Sequence, residues 1–265
     1  MQKKLKHKIV IIGCGNLAWH LARRFSGLKN YELFIYNHKP NTLLNDFRTK
    51  LKCTTHSSLA NIIPDADFYF ICVTDKFVSQ VAKKINLNKP ISILIHTSGS
   101  LKINELGNKA NTAVFYPVQT FSKQDEINWK ETPIIIEAKN KIVQTKIAKL
   151  AKLFSENSIN LDYKQRLKIH LAAVLVNNFT NALFVAAGDL IPKNSGNKFL
   201  LPLIKQTVLK IEHMDPLLAQ TGPAKRNDSV VMKKHLKLLS QNEELKYIYK
   251  QLSELIVTQQ TKKHA

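Results

Sequence analysis

Three groups of residues in this 265-residue chain have the types and spacing to do chemistry. The first is Gly13-Cys-Gly15-Asn-Leu-Ala18, which fits G-x-G-x-x-[G/A] and directly follows the apolar run at 9–12. In such a turn the first glycine permits a tight bend and the second lets a pyrophosphate approach the backbone. Ala18, in the third glycine's place, still allows close helix–strand packing. The helix that follows offers free N–H groups and a positive dipole end. Gly13, Cys14, Gly15, Asn16 and Leu17 are therefore expected to cradle a dinucleotide, against the plainer alternative of a tight turn without ligand.

The second group selects the nucleotide. An NAD site usually carries Asp or Glu at the end of its second strand to hold the ribose hydroxyls. Here that place reads Tyr36-Asn37-His38-Lys39-Pro40. No carboxylate is present to repel a 2′-phosphate. Asn37 and His38 can donate hydrogen bonds and Lys39 adds a fixed positive charge. NADP is the expected cofactor. Ligands of open α/β sheets lie at the carboxyl ends of the strands, so Val73, Thr74, Thr97 and Ser98 are expected to complete the site. Thr74 and Asp75 could equally serve as helix caps.

The third group lies on a helix expected over 165–190. Between Lys168 and Lys193 the chain has no Lys, Arg or Glu, so this helix is expected to be buried around most of its circumference. At about 100° per residue, Arg166, His170, Asn177 and Asn181 fall within an arc of about 60°. Such a stripe needs partners, because an unpaired buried polar group costs about 1–3 kcal/mol. It is either a substrate pocket or a hydrogen-bonded seam between helices or subunits. His170 has the side chain suited to general acid/base work, and Asn177 and Asn181 could orient a substrate. Tyr116 and Gln119, on an aromatic loop after a strand, are expected to close the pocket. In the polar turn at 220–228, Arg226 or Asp228 could order a substrate carboxylate or pair with each other, or Asp228 could cap a helix. No cluster has metal-ligand spacing.

The elements that must position these groups follow from the apolar pattern. Strands are expected at 8–12, 31–36, 51–54, 68–73, 91–96, 114–116 and 134–137, with helices between several of them and an extended piece near 159–163. Continuous rather than alternating apolar runs imply strands buried on both faces of a mostly parallel sheet. Beyond 155 only helical patterns recur, at 165–190, 198–213, 228–239 and 243–259. The expected architecture is α/β: a Rossmann-type domain over 1–155, followed by an all-helical domain over 156–265 that builds the substrate site and a homodimer. Three scattered cysteines, Cys14, Cys53 and Cys72, suit a reduced, cytoplasmic protein. Unbroken apolar runs such as 68–73 and 171–176 are too short to span a bilayer. The net charge of +21, from 40 Lys+Arg against 19 Asp+Glu, is dispersed along the chain. It is read as aiding solubility and attraction of small anions rather than as a nucleic-acid surface.

Several motifs together resemble a known group: Gly13-Cys-Gly-Asn16, His96-Thr-Ser-Gly-Ser100, Tyr116-Pro-Val-Gln-Thr-Phe-Ser122, His170-Leu-Ala-Ala-Val174 with Asn177-Asn-Phe-Thr-Asn181, and Gln220-Thr-Gly-Pro-Ala-Lys-Arg226. They look like a bacterial family of Rossmann-like NADP oxidoreductases with a C-terminal helical domain of unassigned function. More distantly, the layout is similar to pyrroline-5-carboxylate reductase, deazaflavin-dependent NADP oxidoreductase and the β-hydroxyacid dehydrogenases. The resemblance implies hydride transfer between nicotinamide and a small carbonyl, imine or hydroxy compound in an interdomain cleft. It departs in one place. The lysine that β-hydroxyacid dehydrogenases carry before an Asn pair would fall near Val174, which leaves His170, one turn earlier, as the candidate proton donor. The missing lysine also favours a second reading, a non-catalytic NADP-binding sensor or scaffold.

Overall fold

The structure, a computed structural model, describes residues 6–40, 42–192 and 196–261. The described chain separates into two compact units, 1–178 and 179–265. The sequence pattern changes character near 155. The first unit nonetheless extends beyond that point to include the helix that carries His170.

The first unit is built on an eight-stranded sheet in the order β3-β2-β1-β4-β5-β6-β7-β8. Its strands are β1 (His7–Ile12), β2 (Tyr31–Tyr36), β3 (Thr54–His56), β4 (Phe68–Ile71), β5 (Ile93–His96), β6 (Thr112–Pro117), β7 (Ile134–Ala138) and β8 (Ser158–Asn160). All neighbouring pairs are parallel except β6 with β7. The order reverses between β1 and β4, the crevice where doubly wound sheets bind ligands. The helices of this unit are α1 (Asn16–Ser26), α2 (Thr42–Leu51), α3 (Asp75–Lys84), α4 (Lys141–Lys152) and α5 (Tyr163–Ala173).

Both faces of the sheet are covered, which is why its strands read as unbroken apolar runs. Ile9, Ile11 and Ile35 point into one core with Phe25, Phe70, Phe115 and Phe154. Val10, Ile12 and Tyr36, one residue out of phase, point into the other with Tyr69, Ile71 and Val78. The third strand forms at Thr54–His56, a little later than the apolar pattern suggests, because it pairs in register with Phe34–Tyr36 of β2.

The helix around His170 differs from its expected form in two ways. It runs continuously from Tyr163 to Leu190, and its middle, Val174–Phe179, is a π-helix. That segment separates α5 from α6 (Thr180–Leu190) and interrupts the even progression of a regular helix, about 100° per residue. The helix is also largely open: Leu171, Val176, Phe179 and Val185 are more than half exposed. Among the described residues these apolar side chains are left largely uncovered. By length and composition, with a mean hydropathy of 1.5, it is the one helix among the described residues able to cross a membrane.

The second unit continues with α7 (Leu201–His213), α8 (Pro216–Ala219), α9 (Ser229–Leu238) and α10 (Glu243–Thr261). It is all-helical, as expected. Asp228 is the N-cap of α9, its carboxylate accepting from the Val231 N–H at 3.1 Å.

Candidate functional site

The site is a row of loops at the carboxyl ends of β1, β4, β5 and β6. At the end of β1, Gly13 adopts φ +106°, and a Cβ there would lie 2.3 Å from the Cys72 carbonyl oxygen. Only glycine fits this approach of two backbones. Its N–H is spent on the Tyr36 carbonyl. Gly15 differs: its φ is −72°, and a Cβ there would meet nothing within 4 Å. Open space stands beside its backbone where a pyrophosphate would pass. Helix α1 begins at the next residue with no side-chain cap and no acidic residue in its first turn. Its leading N–H groups remain free for an anion. Cys14 and Leu17 pack against the core edge.

Beside this turn lies a cavity of about 280 Å³, lined in part by Gly13, Asn37, His38, Val73, Phe77 and Lys84. Its size and lining fit the adenosine half of a dinucleotide. Asn37 serves the cavity indirectly. It is buried and its amide donates to the Lys39 carbonyl at 2.9 Å, folding the turn that leaves His38 and Lys39 exposed. Lys84 was not found by sequence reading. It is one of many lysines, and only the packing of α3 turns it toward the cavity.

The ends of β4 and β5 are tied together. The Asp75 carboxylate, at the first turn of α3, accepts from Ser98 Oγ at 2.8 Å and from Ser100 Oγ. Ser98 Oγ in turn accepts from the N–H groups of Ser100 and Leu101. Asp75 thus organises the 98–101 loop rather than capping α3. Thr74 makes no side-chain cap either. Thr97 bonds the Cys72 thiol, which burial pushes up to about 12, so that cysteine is not a thiolate nucleophile.

Past β6 two sequence-picked residues meet. Tyr116 Oη lies 3.1 Å from His170 Nδ1, and the rings stand edge to face with centroids 5.8 Å apart. Burial raises the Tyr116 phenol's pKa, partly offset by the Arg166 charge. At neutral pH the phenol therefore keeps its proton, and it pairs with Nδ1 as donor or as acceptor according to the imidazole tautomer. Gly99 is buried against both rings: a Cβ there would lie 2.7 Å from His170 Nδ1 and 2.8 Å from Tyr116 Cζ. Nothing in the sequence separates this glycine from an ordinary loop glycine.

The remaining candidates are exposed or make other contacts. The Gln119 side chain folds back to accept from the Thr120 N–H at 2.9 Å and is exposed. Asn16 donates to the Phe121 carbonyl at 2.8 Å, and His20 bonds the Ser122 carbonyl at 2.8 Å. The loop after β6 is in this way pinned to α1. Asn177 is exposed on the π segment. Asn181 belongs to the second unit, where it lines an apolar groove with Phe184, Val185 and Ile204.

Comparison with known proteins bears on this arrangement. The family model described as "NADP oxidoreductase coenzyme F420-dependent" matches residues 8–98, and one described as a "domain of unknown function (DUF2520)" matches 132–256. Among solved structures, the chain is similar to a "putative NADP oxidoreductase" of Bacteroides fragilis, with 31% identity over 96% of this chain and 98% of that one and a TM-score of 0.86. A Thermotoga maritima protein is 18% identical over 97% of this chain and 100% of its own, with a TM-score of 0.73. The 1-pyrroline-5-carboxylate reductase of Streptococcus pyogenes is 13% identical over 95% and 98%, with a TM-score of 0.58. The last two likenesses speak for the fold alone. No curated protein matches the chain by sequence.

Proposed function

The chain belongs to the family of NADP oxidoreductases that join a coenzyme-binding domain to a helical C-terminal domain, and from that premise we propose that it exchanges a hydride between NADP and a small carbonyl, imine or hydroxy compound. NADP is its cofactor. When bound, the nicotinamide supplies or accepts the hydride. The chain's own residues bind, orient and manage the proton.

Gly13 and Gly15 let the backbone come close to the pyrophosphate, and the first N–H groups of α1 neutralise it. His38, Lys39 and Lys84 supply donors and charge for the extra phosphate of the adenosine. Val73, Thr74, Thr97 and Ser98 border the path toward the nicotinamide at the ends of β4 and β5.

The observation that carries the reading is the Tyr116–His170 contact. In the proposed arrangement the phenol donates to Nδ1, so that His170 presents Nε2–H, the atom that would give a proton to the oxygen or nitrogen of a substrate being reduced and take it back in the reverse direction. Asn177 and Asn181 are the proposed substrate-orienting amides, and Gln119 borders the pocket from the loop after β6.

A homodimer is part of the same proposal. Among the described residues, the second unit buries only Ala224, Leu239 and Ser253. It exposes Val185, Phe199, Leu203 and Leu238 to 62%, 68%, 65% and 81%. A helical unit without a core of its own needs an apolar partner, and a second copy of the same surface is the simplest self-complementary one.

The test is NADPH consumption by the wild type against a panel of small ketones, aldehydes and cyclic imines. His170→Ala should then lower turnover by about 10²–10⁴-fold while NADPH still binds with unchanged affinity. Undiminished turnover in that variant would remove His170 from the reaction. Tight NADPH binding by a wild type that reduces nothing would favour the non-catalytic reading.

A further inference from the structure

Arg166 is the largest fully buried side chain in the described molecule, and the reaction outlined above does not use it. A buried charge is costly unless it is fully bonded, so its contacts are informative. Nη1 donates to the carbonyls of Ser98 at 2.9 Å and Gly99 at 3.1 Å. Nη2 donates to the Leu101 carbonyl at 2.8 Å and to Glu137 Oε2 at 2.9 Å. Its guanidinium also lies 5.6 Å from the centroid of the Tyr163 ring.

Three carbonyls from four consecutive residues thus converge on one fork. No strand or helix can satisfy such a set, because regular elements point successive carbonyls along or across the element. The planar guanidinium can, and a lysine's point-like ammonium cannot reproduce the fork. Arg166 and His170 are four residues apart on α5, hence one turn apart on the same face. One end of that face gathers the 98–101 loop, and the other presses His170 onto Gly99 in the middle of it. Glu137 anchors the fork to β7, on the far side of the strand that carries Tyr116. Asp75 holds the same loop from the cofactor side through Ser98 and Ser100.

We infer that Arg166 is a positioning residue: by drawing the carbonyls of Ser98, Gly99 and Leu101 onto its guanidinium it sets the Gly99 backbone against Tyr116 and His170, and so fixes the hydrogen bond that orients the proton donor. The inference rests on the reading of His170 and Tyr116 as the reacting pair, and its test does not need a known substrate.

The experiment is nitrogen NMR of the His170 imidazole in ¹⁵N-histidine-labelled full-length protein, assigned with His170→Gln, with NADPH affinity measured in parallel. The wild type should show one tautomer, with an Nδ1 shift characteristic of a hydrogen-bond acceptor. Tyr116→Phe should abolish that signature. Arg166→Lys, which keeps the charge but not the fork, should reproduce the Tyr116→Phe spectrum while NADPH affinity is retained. Gly99→Ala, which leaves Arg166 untouched but forces the loop away from the rings, should do the same and stands in if the lysine variant fails to fold. With any carbonyl the wild type reduces, kcat should fall about 100-fold in Arg166→Lys and KM should change little. A wild-type His170 signature in either folded variant overturns the inference. A wild type that turns over no substrate would instead sink the proposed reaction, leaving the NMR comparison to decide the role of Arg166.

Discussion

His96, at the end of β5, is fully buried, and its Nδ1 accepts from the Ser98 N–H at 3.2 Å. Burial, reinforced by the nearby Arg166 charge, pushes its pKa down to about 3. In the unfolded chain it titrates near 6.5. Between those values the unfolded state binds the extra proton and the native state does not, so the native state loses stability as pH falls below about 6.5. His96→Asn, which keeps an acceptor near the Ser98 amide but cannot titrate, should lose up to about 1 kcal/mol less per pH unit than the wild type between pH 6 and 4. Denaturant melts of the two proteins across that range check this, and parallel stability curves would refute it. Residue types also conceal their duties at this scale. Asn16, Asn37 and Gln119 look in sequence like ligand contacts, yet each spends its side chain on a backbone group. Local hydrogen bonding competes for every short amide, and which bond wins depends on neighbours that the sequence does not display.

The β1–α1 turn is the element to which the proposed phosphate binding belongs. Its two glycines do different work, which separates a folding effect from a binding effect. Gly13→Ala would require a left-handed alanine driven into the Cys72 carbonyl, and should cost at least about 2 kcal/mol of stability. Gly15→Ala meets nothing in the chain, and should change stability by less than about 1 kcal/mol. It should nevertheless weaken NADPH binding by about tenfold or more, equivalent to about 1.4 kcal/mol, because its Cβ would stand where the pyrophosphate passes. Thermal melts with and without NADPH distinguish the two, and a Gly15→Ala protein with wild-type affinity would place the phosphates elsewhere. Most element types were legible because both faces of the sheet are buried and the strands are continuous apolar runs. The capping box at the start of α5, Asp162 with Gln165, was also written in the sequence and marks a helix start two residues earlier than periodicity alone. The π segment was not, since nothing in Val-Leu-Val-Asn-Asn-Phe distinguishes a wide turn from a regular one. Such bulges recur at functional sites, and this one carries Asn177.

At the scale of the whole molecule, the two units contrast in how they meet water. The first buries a two-sided core, and the second leaves most of its large apolar side chains open. If water truly bathed that surface, Val185→Glu would be nearly neutral, within about 0.5 kcal/mol. If a second copy covers it, the same substitution places a charge in an apolar interface. We expect the wild type to sediment as a dimer and Val185→Glu to sediment as a monomer with a lowered melting temperature. A wild type that stays monomeric in sedimentation, or that floats with lipid vesicles through its 163–190 helix, would count against the dimer.

The amino-acid sequence alone determined the Rossmann-type half, the helical remainder, the glycine turn and the preference for NADP. Each of these rests on local properties: periodicity of apolar residues, glycine where backbone must bend, and the absence of a carboxylate at one strand end. Tertiary structure decided which distant residues share a site. It brought Tyr116 to His170 across 54 positions of chain, turned Lys84 toward the cavity beside the glycine turn, and drew three loop carbonyls onto Arg166. Such partnerships depend on where strands and helices end in space, and the energy of a contact is set by distance and burial rather than by separation along the chain.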